Sequence, residues 1–198
     1  DIHTITASQV FNMPPEAVTP LMRTRAKAVN FGIVYGIGAF SLAKDIGVTR
    51  AEADRYIKGY LHNFAGVDSY MQKVIADAKE NGFVKTLLGR KRYIREINSP
   101  NYNLRSFGER AAMNMPLQGS SADIIKVAMV NVSNRLKSEG LKSKLILQVH
   151  DELIIETDQA SASAVAEMLQ SEMENVCKTA VPLKVDVKVG KTWFDTKE

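Results

Sequence analysis

The stretch Gln148-Val149-His150-Asp151-Glu152 lies between two apolar runs, Leu145-Ile146-Leu147 and Leu153-Ile154-Ile155. Apolar runs of this length, separated by a few polar residues, predict a buried β-hairpin whose turn carries the charge. Adjacent carboxylates at the end of a strand can bind Mg²⁺, which prefers oxygen ligands. A turn that is merely solvated and acidic would have the same sequence, because turns are usually polar. The rest of the chain has to decide between these two interpretations.

The composition of the 198-residue chain is that of an ordinary globular protein. Apolar residues make up 45% and charged residues 24%, and the net charge of +4 is compatible with a nucleic-acid partner without being diagnostic. The one cysteine, Cys177, excludes an intramolecular disulfide and a zinc site built on cysteines, and a reducing cytoplasm fits this composition. No run of 18 or more apolar residues occurs, so we expect no membrane-spanning helix.

Helix-start signals and helical periodicity dominate the first half of the chain. Thr19-Pro20 places an N-cap before a proline at the first helical position, and Thr49-Arg50-Ala51-Glu52 is a capping box. Four helices are predicted, over about 4–13, 20–36, 49–64 and 67–81, with a short strand at 83–88.

The second half of the chain pairs helices with strands. A helix is predicted over about 107–137 with a kink at Pro116 and Gly119, followed by the hairpin and a helix over about 159–178. Alternating apolar and polar residues at 183–189 predict a half-buried strand. The fold class is therefore α+β, in which a helical part precedes a small antiparallel sheet with flanking helices. The polar stretch 96–106 is the expected boundary.

Four cationic and aromatic residues recur at every fourth position of the helix predicted to begin at Pro20. They are Arg23, Lys27, Phe31 and Tyr35. Residues at i and i+4 share a helix face, so they form one stripe about 18 Å long. Cations match phosphates, and rings match a base and a sugar. The alternative is a helix with solvated basic residues and core aromatics. Gly32 and Gly36 favour binding, because glycines there suggest that another body approaches the backbone closely.

Two further polar patterns are typical of DNA contacts. Arg110, Asn114 and Gln118 form a second four-residue stripe, whose donors suit the acceptors of a minor groove. Five cations cluster within residues 85–95; they are Lys85, Arg90, Lys91, Arg92 and Arg95. The three consecutive cations of the segment from Thr86 to Arg92 would bind phosphates without regard to sequence. A solvated helix face and a solubilising basic loop are the corresponding structural alternatives.

These segments, in this order, resemble the family A DNA polymerases over essentially the whole chain. Arg23-x3-Lys27-x3-Phe31-x3-Tyr35-Gly36 resembles their fingers-helix motif, and residues 148–152 resemble their palm-hairpin motif. Asp1-Ile2-His3, Thr86 to Arg92 and Arg110 to Asp123 also resemble family segments. The resemblance implies the C-terminal part of a bacterial polymerase domain, with residues 1–100 as the fingers subdomain and 101–198 as the C-terminal part of the palm.

The resemblance also implies a DNA-directed DNA polymerase that adds dNTPs to the primer 3′-hydroxyl of a primer-template, in replication and repair, using two Mg²⁺ ions. Asp151 would be one of two aspartates that bind the metal, and Glu152 a catalytic carboxylate of lesser importance. Lys27 would bind the triphosphate and protonate the leaving pyrophosphate. The other nucleotide-binding residues would be His3, Arg23, Phe31 and Tyr35, and the DNA-binding residues would be Arg90, Arg92, Arg110, Asn114, Gln118 and His150.

The family's second catalytic aspartate lies upstream of the segment that matches Asp1-Ile2-His3. We therefore expect the isolated chain to be inactive, and to associate with the missing N-terminal portion of the same polymerase or with itself. A non-catalytic DNA-binding module is the main alternative. Asp151 distinguishes a polymerase from such a module, because a protein that only binds DNA needs no carboxylate facing phosphates. A phosphohydrolase is a weaker alternative. We expect the protein in the bacterial cytoplasm, associated with the nucleoid.

Overall fold

Helices account for most of the chain in the computed structural model, which describes residues 1–197. The helices are α1 Ile2–Phe11, α2 Pro20–Val34, α3 Ala39–Ile46, α4 Arg50–Asn63, α5 Ala65–Asn81, α6 Tyr102–Ser138 and α7 Ala162–Glu174. The strands are β1 Phe83–Lys85, β2 Lys91–Tyr93, β3 Lys144–Val149 and β4 Glu152–Glu156, and 3₁₀ turns lie at Pro15–Ala17 and Phe194–Thr196. The predicted α+β class is confirmed.

Two compact units divide the chain, Asp1–Leu117 and Gln118–Glu198. The division falls within α6, beyond the polar stretch 96–106. The assignment of 1–100 to fingers and 101–198 to palm stays a prediction, and Glu198 lies outside the described residues. Within the described part of the chain, no helix combines the length and the apolar character needed to cross a membrane.

The helix starts of the first unit follow from local side-chain chemistry. Thr19 accepts a hydrogen bond from the Met22 amide at 3.3 Å, in front of a proline at the first helical position. Thr49 and Glu52 form both hydrogen bonds of a capping box. The predicted starts of α2 and α4 are confirmed, because caps depend on neighbouring residues alone.

One apolar cluster joins helices α2 to α5 in the first unit. Its most buried members are Val29, Ile33, Leu42, Ala53 and Tyr60. Leu42 belongs to α3, which the sequence pattern did not predict. This helix is only eight residues long and lies between glycines at 38 and 47, so its periodic pattern is too short to stand out from the surrounding turns.

A second apolar cluster of this unit lies under the β1–β2 hairpin. It contains Ala78, Val84, Ile94, Ile97, Ala112 and Met115. The predicted strand at 83–88 is shorter than expected and pairs antiparallel with β2, in the register Phe83↔Tyr93 and Lys85↔Lys91. The basic run was predicted as a strand that leads into a turn, and the structure adds a second strand, β2, that pairs with the first.

The second unit packs the β3–β4 hairpin with α7 and the C-terminal part of α6. Ala128, Val132, Leu136, Leu153, Val165 and Met168 form its core. The helix predicted over 159–178 is confirmed in its central part, whereas α6 continues as one helix through Pro116, where the kink stays a prediction. The strand predicted at 183–189 is wrong. The Val185 amide donates to Glu174 Oε1 at 3.1 Å and its carbonyl accepts from Gln170 Nε2 at 3.3 Å, so side chains of α7 replace a partner strand.

Candidate active site

Four of the five predicted nucleotide-binding residues lie in one cluster at the start of α1 and on α2. The rings of His3 and Phe31 are 5.8 Å apart, centroid to centroid. Lys27 Nζ lies 5.9 Å from the Phe31 centroid, at the outer limit of a cation–π contact. Phe31 is half exposed, so part of the ring remains accessible. The cluster therefore combines two cations with two rings, an arrangement that suits a phosphate and a sugar.

The fourth member, Arg23, is held by an acidic residue that the sequence pattern did not indicate. Asp1 is the N-cap of α1, where its carboxylate accepts from the His3 amide at 3.2 Å. The same carboxylate accepts from Arg23 Nε at 2.6 Å and from Arg23 Nη2 at 3.3 Å. This two-point contact fixes the guanidinium plane at the start of α1, and it leaves Nη1 outside the contact with Asp1.

Asn30 contacts His3, and it is the second residue of the site that the sequence pattern did not indicate. Asn30 Nδ2 lies 2.9 Å from His3 Nδ1, and Asn30 Oδ1 accepts from the hydroxyl of Thr6 at 3.0 Å. Partial burial, and then the positive charges of Arg23, Lys27 and the amino terminus, lower the pKa of His3 below its ordinary value. The signal for Asn30 is a single polar residue on the apolar face of α2, where it is buried.

Tyr35, the fifth member of the stripe, is the C-cap of α2 and is half exposed. The next residue, Gly36, has φ +69°, and its amide donates to the Ile33 carbonyl at 2.9 Å while the Ile37 amide donates to Gly32 at 2.8 Å. These two bonds form a Schellman motif that ends the helix.

The chain itself supplies the close approach that Gly32 and Gly36 indicated. A Cβ at Gly32 would lie 2.6 Å from Ile37 Cγ2, and a Cβ at Gly36 would lie 2.5 Å from Met113 Cε and 2.8 Å from Arg110 Cγ. The expectation that another body fills this space is corrected, because α6 and Ile37, which lies just beyond the end of α2, occupy it.

The second polar stripe is divided between the two units. Arg110 is exposed and donates from Nη1 to Ser106 Oγ at 2.6 Å, so part of its guanidinium is already hydrogen-bonded. Asn114 Nδ2 is buried and has no hydrogen-bond partner within residues 1–197. Gln118 is exposed and begins the second unit. In this structure Arg110 and Gln118 are accessible, whereas the Asn114 amide nitrogen is not.

The basic hairpin exposes both of its predicted DNA-binding arginines. Arg90 lies in the turn and Arg92 in β2, and both are exposed. Lys91 Nζ lies 4.3 Å from the centroid of the Phe83 ring, and Lys85 Nζ lies 5.4 Å from it. Both lysines therefore make cation–π contacts with Phe83. The hairpin therefore presents cations on a paired backbone.

The acidic hairpin of the second unit has a two-residue turn. Val149 and Glu152 form the last cross-strand pair, which leaves His150 and Asp151 as the turn. His150 has φ +53°, and Asp151 is not among the residues with positive φ. A left-handed residue at the first turn position is typical of hairpin turns and is usually glycine. Both residues are exposed, and the Asp151 carboxylate makes no hydrogen bond or ion pair within residues 1–197.

Glu152 differs from Asp151, because its carboxylate is paired with the C-terminal segment. Lys197 Nζ donates to both oxygens of Glu152, at 2.5 and 2.7 Å, and lies 5.1 Å from the Trp193 ring. The contact with Lys197, and then a hydrogen bond from Trp193, lower the pKa of Glu152. No local sequence signal predicts a pair between residues 45 positions apart.

The acidic turn can supply only part of the ligand set of a magnesium ion. Within residues 1–197 no three His, Cys, Asp or Glu side chains come together as a metal site. Magnesium in nucleotide-processing sites is often held by one or two carboxylates together with substrate phosphates. Asp151 can supply one such oxygen ligand, and the remaining ligands have to come from elsewhere.

A cation–aromatic cluster and a basic hairpin are typical of proteins that bind phosphates and nucleic acid. Comparison with known proteins then gives the family: the model of DNA polymerase family A matches residues 1–195. The chain belongs to DNA polymerase family A.

The relatives bear the same name in several bacteria. DNA polymerase I of Caldicellulosiruptor bescii is 51% identical over 197 residues, and DNA polymerase I of Bacillus caldotenax and that of Bacillus subtilis are each 49% identical. The chain is matched completely but spans only 22 to 23% of these relatives.

A solved structure is similar throughout the chain. It is the POL domain of Pol1 from M. smegmatis in complex with DNA primer-template and dNTP, with a TM-score of 0.94 and 40% identity. The match covers 100% of this chain and 35% of that one.

Proposed function

We propose that this chain carries nucleotide- and metal-binding residues of a DNA-directed DNA polymerase. The reaction is attack of a primer 3′-hydroxyl on the α-phosphate of a dNTP, with release of pyrophosphate. The observation that carries this proposal is the cluster of His3, Arg23, Lys27 and Phe31 on α1 and α2. Membership of DNA polymerase family A and the similarity to a polymerase domain in complex with DNA and dNTP support it.

In this proposal the residues of the cluster divide the nucleotide among them. Arg23 and Lys27 bind the triphosphate as fixed cations, and Arg23 is oriented by its contact with Asp1. Phe31 packs against the sugar with the exposed part of its ring, and Tyr35 stacks near the templating base. Lys27 also donates a proton to the leaving pyrophosphate.

Asp151 is the proposed metal ligand in the second unit. Two Mg²⁺ ions, when bound, supply Lewis-acid activation of the 3′-hydroxyl and stabilisation of the leaving group. The chain contributes an exposed carboxylate on a two-residue turn whose geometry is fixed by the last pair of the hairpin. Glu152 is the second, lesser carboxylate, and it acts in a state where Lys197 neutralises much of its charge.

The exposed arginines supply the proposed contacts with primer-template DNA. Arg90 and Arg92 of the basic hairpin bind phosphates, with affinity that falls as salt rises. Arg110 and Gln118 bind the duplex near the primer terminus, together with His150. Asn114 joins them only if its buried amide turns outward.

The chain as a whole forms parts of two polymerase subdomains in this proposal. Residues 1–100 act as fingers and 101–198 as the C-terminal part of the palm. The 198-residue chain by itself does not extend a primer, because Asp151 is a single unpaired carboxylate where two metal ions need more. A further portion of the same polymerase supplies the missing ligand. The protein acts in replication and repair in the bacterial cytoplasm.

A binding experiment on the chain tests the nucleotide site. Removing a charged hydrogen-bond donor from a phosphate contact should weaken dNTP affinity by about tenfold or more, so Lys27→Ala should show this loss in equilibrium dialysis. Lys44→Ala is the matched control, because Lys44 is an exposed lysine on α3. Equal weakening by both variants would mean that the chain attracts dNTPs only through its overall positive charge.

A second experiment separates the polymerase from a non-catalytic DNA-binding module. In a complete polymerase that contains this chain, Asp151→Ala should abolish nucleotide incorporation while primer-template affinity stays nearly unchanged. Glu156→Ala, at the exposed end of β4, is the matched control. Parallel loss of DNA binding and incorporation would assign Asp151 a structural role and favour the binding module.

A further inference from the structure

A buried chain of hydrogen bonds lies behind the nucleotide cluster and ends on His3. Thr6 is fully buried on α1, and its hydroxyl donates to Asn30 Oδ1 at 3.0 Å. Asn30 is 8% exposed on α2, and its Nδ2 lies 2.9 Å from His3 Nδ1. We propose that Asn30 is a positioning residue which, with Thr6, holds His3 in the tautomer that carries its proton on Nε2.

The direction of the chain follows from what each atom can do. A carboxamide oxygen only accepts and a carboxamide nitrogen only donates. The structure places Oδ1 of Asn30 against the Thr6 hydroxyl and Nδ2 against the imidazole. Nδ1 must then accept, so it carries no proton, and the proton of the neutral ring lies on Nε2.

The same contact opposes the charged form of His3. An imidazolium has a proton on each nitrogen, and its Nδ1–H would point at the Asn30 amino group, which cannot accept. The charged groups around the ring act in the same direction, because Arg23, Lys27 and the amino terminus all lower the pKa of His3. The Asp1 carboxylate is engaged by Arg23 and by the start of α1.

The consequence for the cluster rests on the proposed function. A triphosphate presents acceptor oxygens, and Nε2–H is a donor that adds no third positive charge beside Arg23 and Lys27. With the proton on Nδ1, the ring would present a lone pair to those oxygens and repel them. Asn30 therefore decides whether His3 attracts or repels a phosphate, although in this proposal it contacts the imidazole and not the phosphate.

The tautomer of His3 can be observed directly by NMR of the chain labelled with ¹⁵N-histidine. The sequence has three histidines, so the three pairs of ring nitrogens can be assigned by single substitutions. His62, exposed in the last turn of α4, is the internal reference. We expect His3 to show a protonated Nε2 and an unprotonated Nδ1 at neutral pH. A protonated Nδ1 on His3, or a mixture of the two tautomers, would overturn the proposal.

Two pairs of variants test the roles of Asn30 and Thr6. Asn30→Asp replaces the donor with an accepting carboxylate, so it should place a proton on Nδ1 and raise the pKa of His3 by about one unit or more. Thr6→Val removes the hydroxyl with little change of shape, and should allow the amide to turn and the tautomers to mix, whereas Thr6→Ser should restore the original spectrum. If Asn30→Asp does not fold, the Thr6 pair decides. An unchanged His3 spectrum in Thr6→Val would refute the role of the Thr6–Asn30–His3 hydrogen bonds.

Inorganic tripolyphosphate separates this inference from the proposed function. If the tautomer is as expected and the ion shifts the Nε2 signal of His3 in the parent chain but less in Thr6→Val, both are supported. If the tautomer is as expected and the ion leaves the His3 signals unchanged, the positioning role of Asn30 is supported and the phosphate-binding role of His3 is refuted. If His3 has the other tautomer, the positioning role of Asn30 is refuted, whatever the effect of the ion.

Discussion

Gly36→Ala tests the close contact between the end of α2 and α6 in the first unit. A Cβ at this position would lie 2.5 Å from Met113 Cε and 2.8 Å from Arg110 Cγ, and the backbone has φ +69°. A residue other than glycine in the left-handed region costs about 1–2 kcal/mol. Forcing an extra carbon into a filled space costs about 1–3 kcal/mol more. We expect the substitution to lower the free energy of unfolding by about 2–5 kcal/mol.

Gly47→Ala is a matched control for the backbone part of this cost. Gly47 has φ +65°, and a Cβ there would meet no atom within 4 Å. Both substitutions restrict the unfolded chain equally, so that contribution cancels. The difference between the two variants, measured by urea denaturation followed by far-UV circular dichroism, should be about 1–3 kcal/mol. Equal costs would refute the contact with α6.

A double substitution identifies the atom responsible. Met113→Ala removes the methyl group nearest to the added Cβ, at its own cost in core packing. In the Met113→Ala protein, Gly36→Ala should lower the free energy of unfolding by less than it does alone, since the two sites are in contact. Additive losses would show that the Met113 side chain moves aside without cost, and that the Arg110 side chain or the backbone causes the destabilisation. Because Gly36 follows Tyr35, Gly36→Ala should also weaken the binding of any ligand that stacks on the Tyr35 ring.

Three further predictions concern the caps and the acidic hairpin. Thr49→Ala should lower the free energy of unfolding by about 1 kcal/mol through loss of the α4 cap, whereas Thr49→Ser should not; equal stability of all three proteins in urea denaturation would contradict this. His150→Val should lower the free energy of unfolding by about 1–2 kcal/mol because a β-branched residue resists φ +53°, whereas His150→Asn should be nearly neutral; a tolerated valine would show that the turn is not left-handed. Lys197→Ala should raise the pKa of Glu152, since Lys197 is the largest cause of its depression, and NMR titration would detect it. The stability that this pair contributes is present above the ordinary pKa of glutamate, near 4.5, and is lost as the pH falls through the lowered value; a destabilisation that persists in acid would assign it to packing.

The features that the sequence predicted well are those set by near neighbours. Caps at Thr19 and Thr49 and the turn between β3 and β4 depend on residues within a few positions of one another. The stripe of α2 follows from helical periodicity, so its members could be grouped before their contacts were known.

Features set by distant residues could not be predicted from local patterns. The contact of Lys197 with Glu152 and the hydrogen bond of Asn30 with His3 each depend on how separate elements meet. The segment around Val185 has the alternation of a strand and half-buried apolar residues, but α7 side chains take its hydrogen bonds. Alternation reports burial of one face, whereas a strand also needs a neighbouring backbone.

The pairing of Glu152 with Lys197 bears on how strongly the acidic turn retains a divalent cation. With Glu152 compensated, the turn presents one net negative charge from Asp151, where the sequence alone suggests two. A single carboxylate is a weak ligand for Mg²⁺, which gives up its water reluctantly. We expect the turn to bind Mg²⁺ only together with negatively charged phosphate ligands, so that metal occupancy follows substrate occupancy. Calorimetry of the chain with MgCl₂ alone should therefore show weak binding. Tight binding that Asp151→Asn abolishes would contradict this expectation.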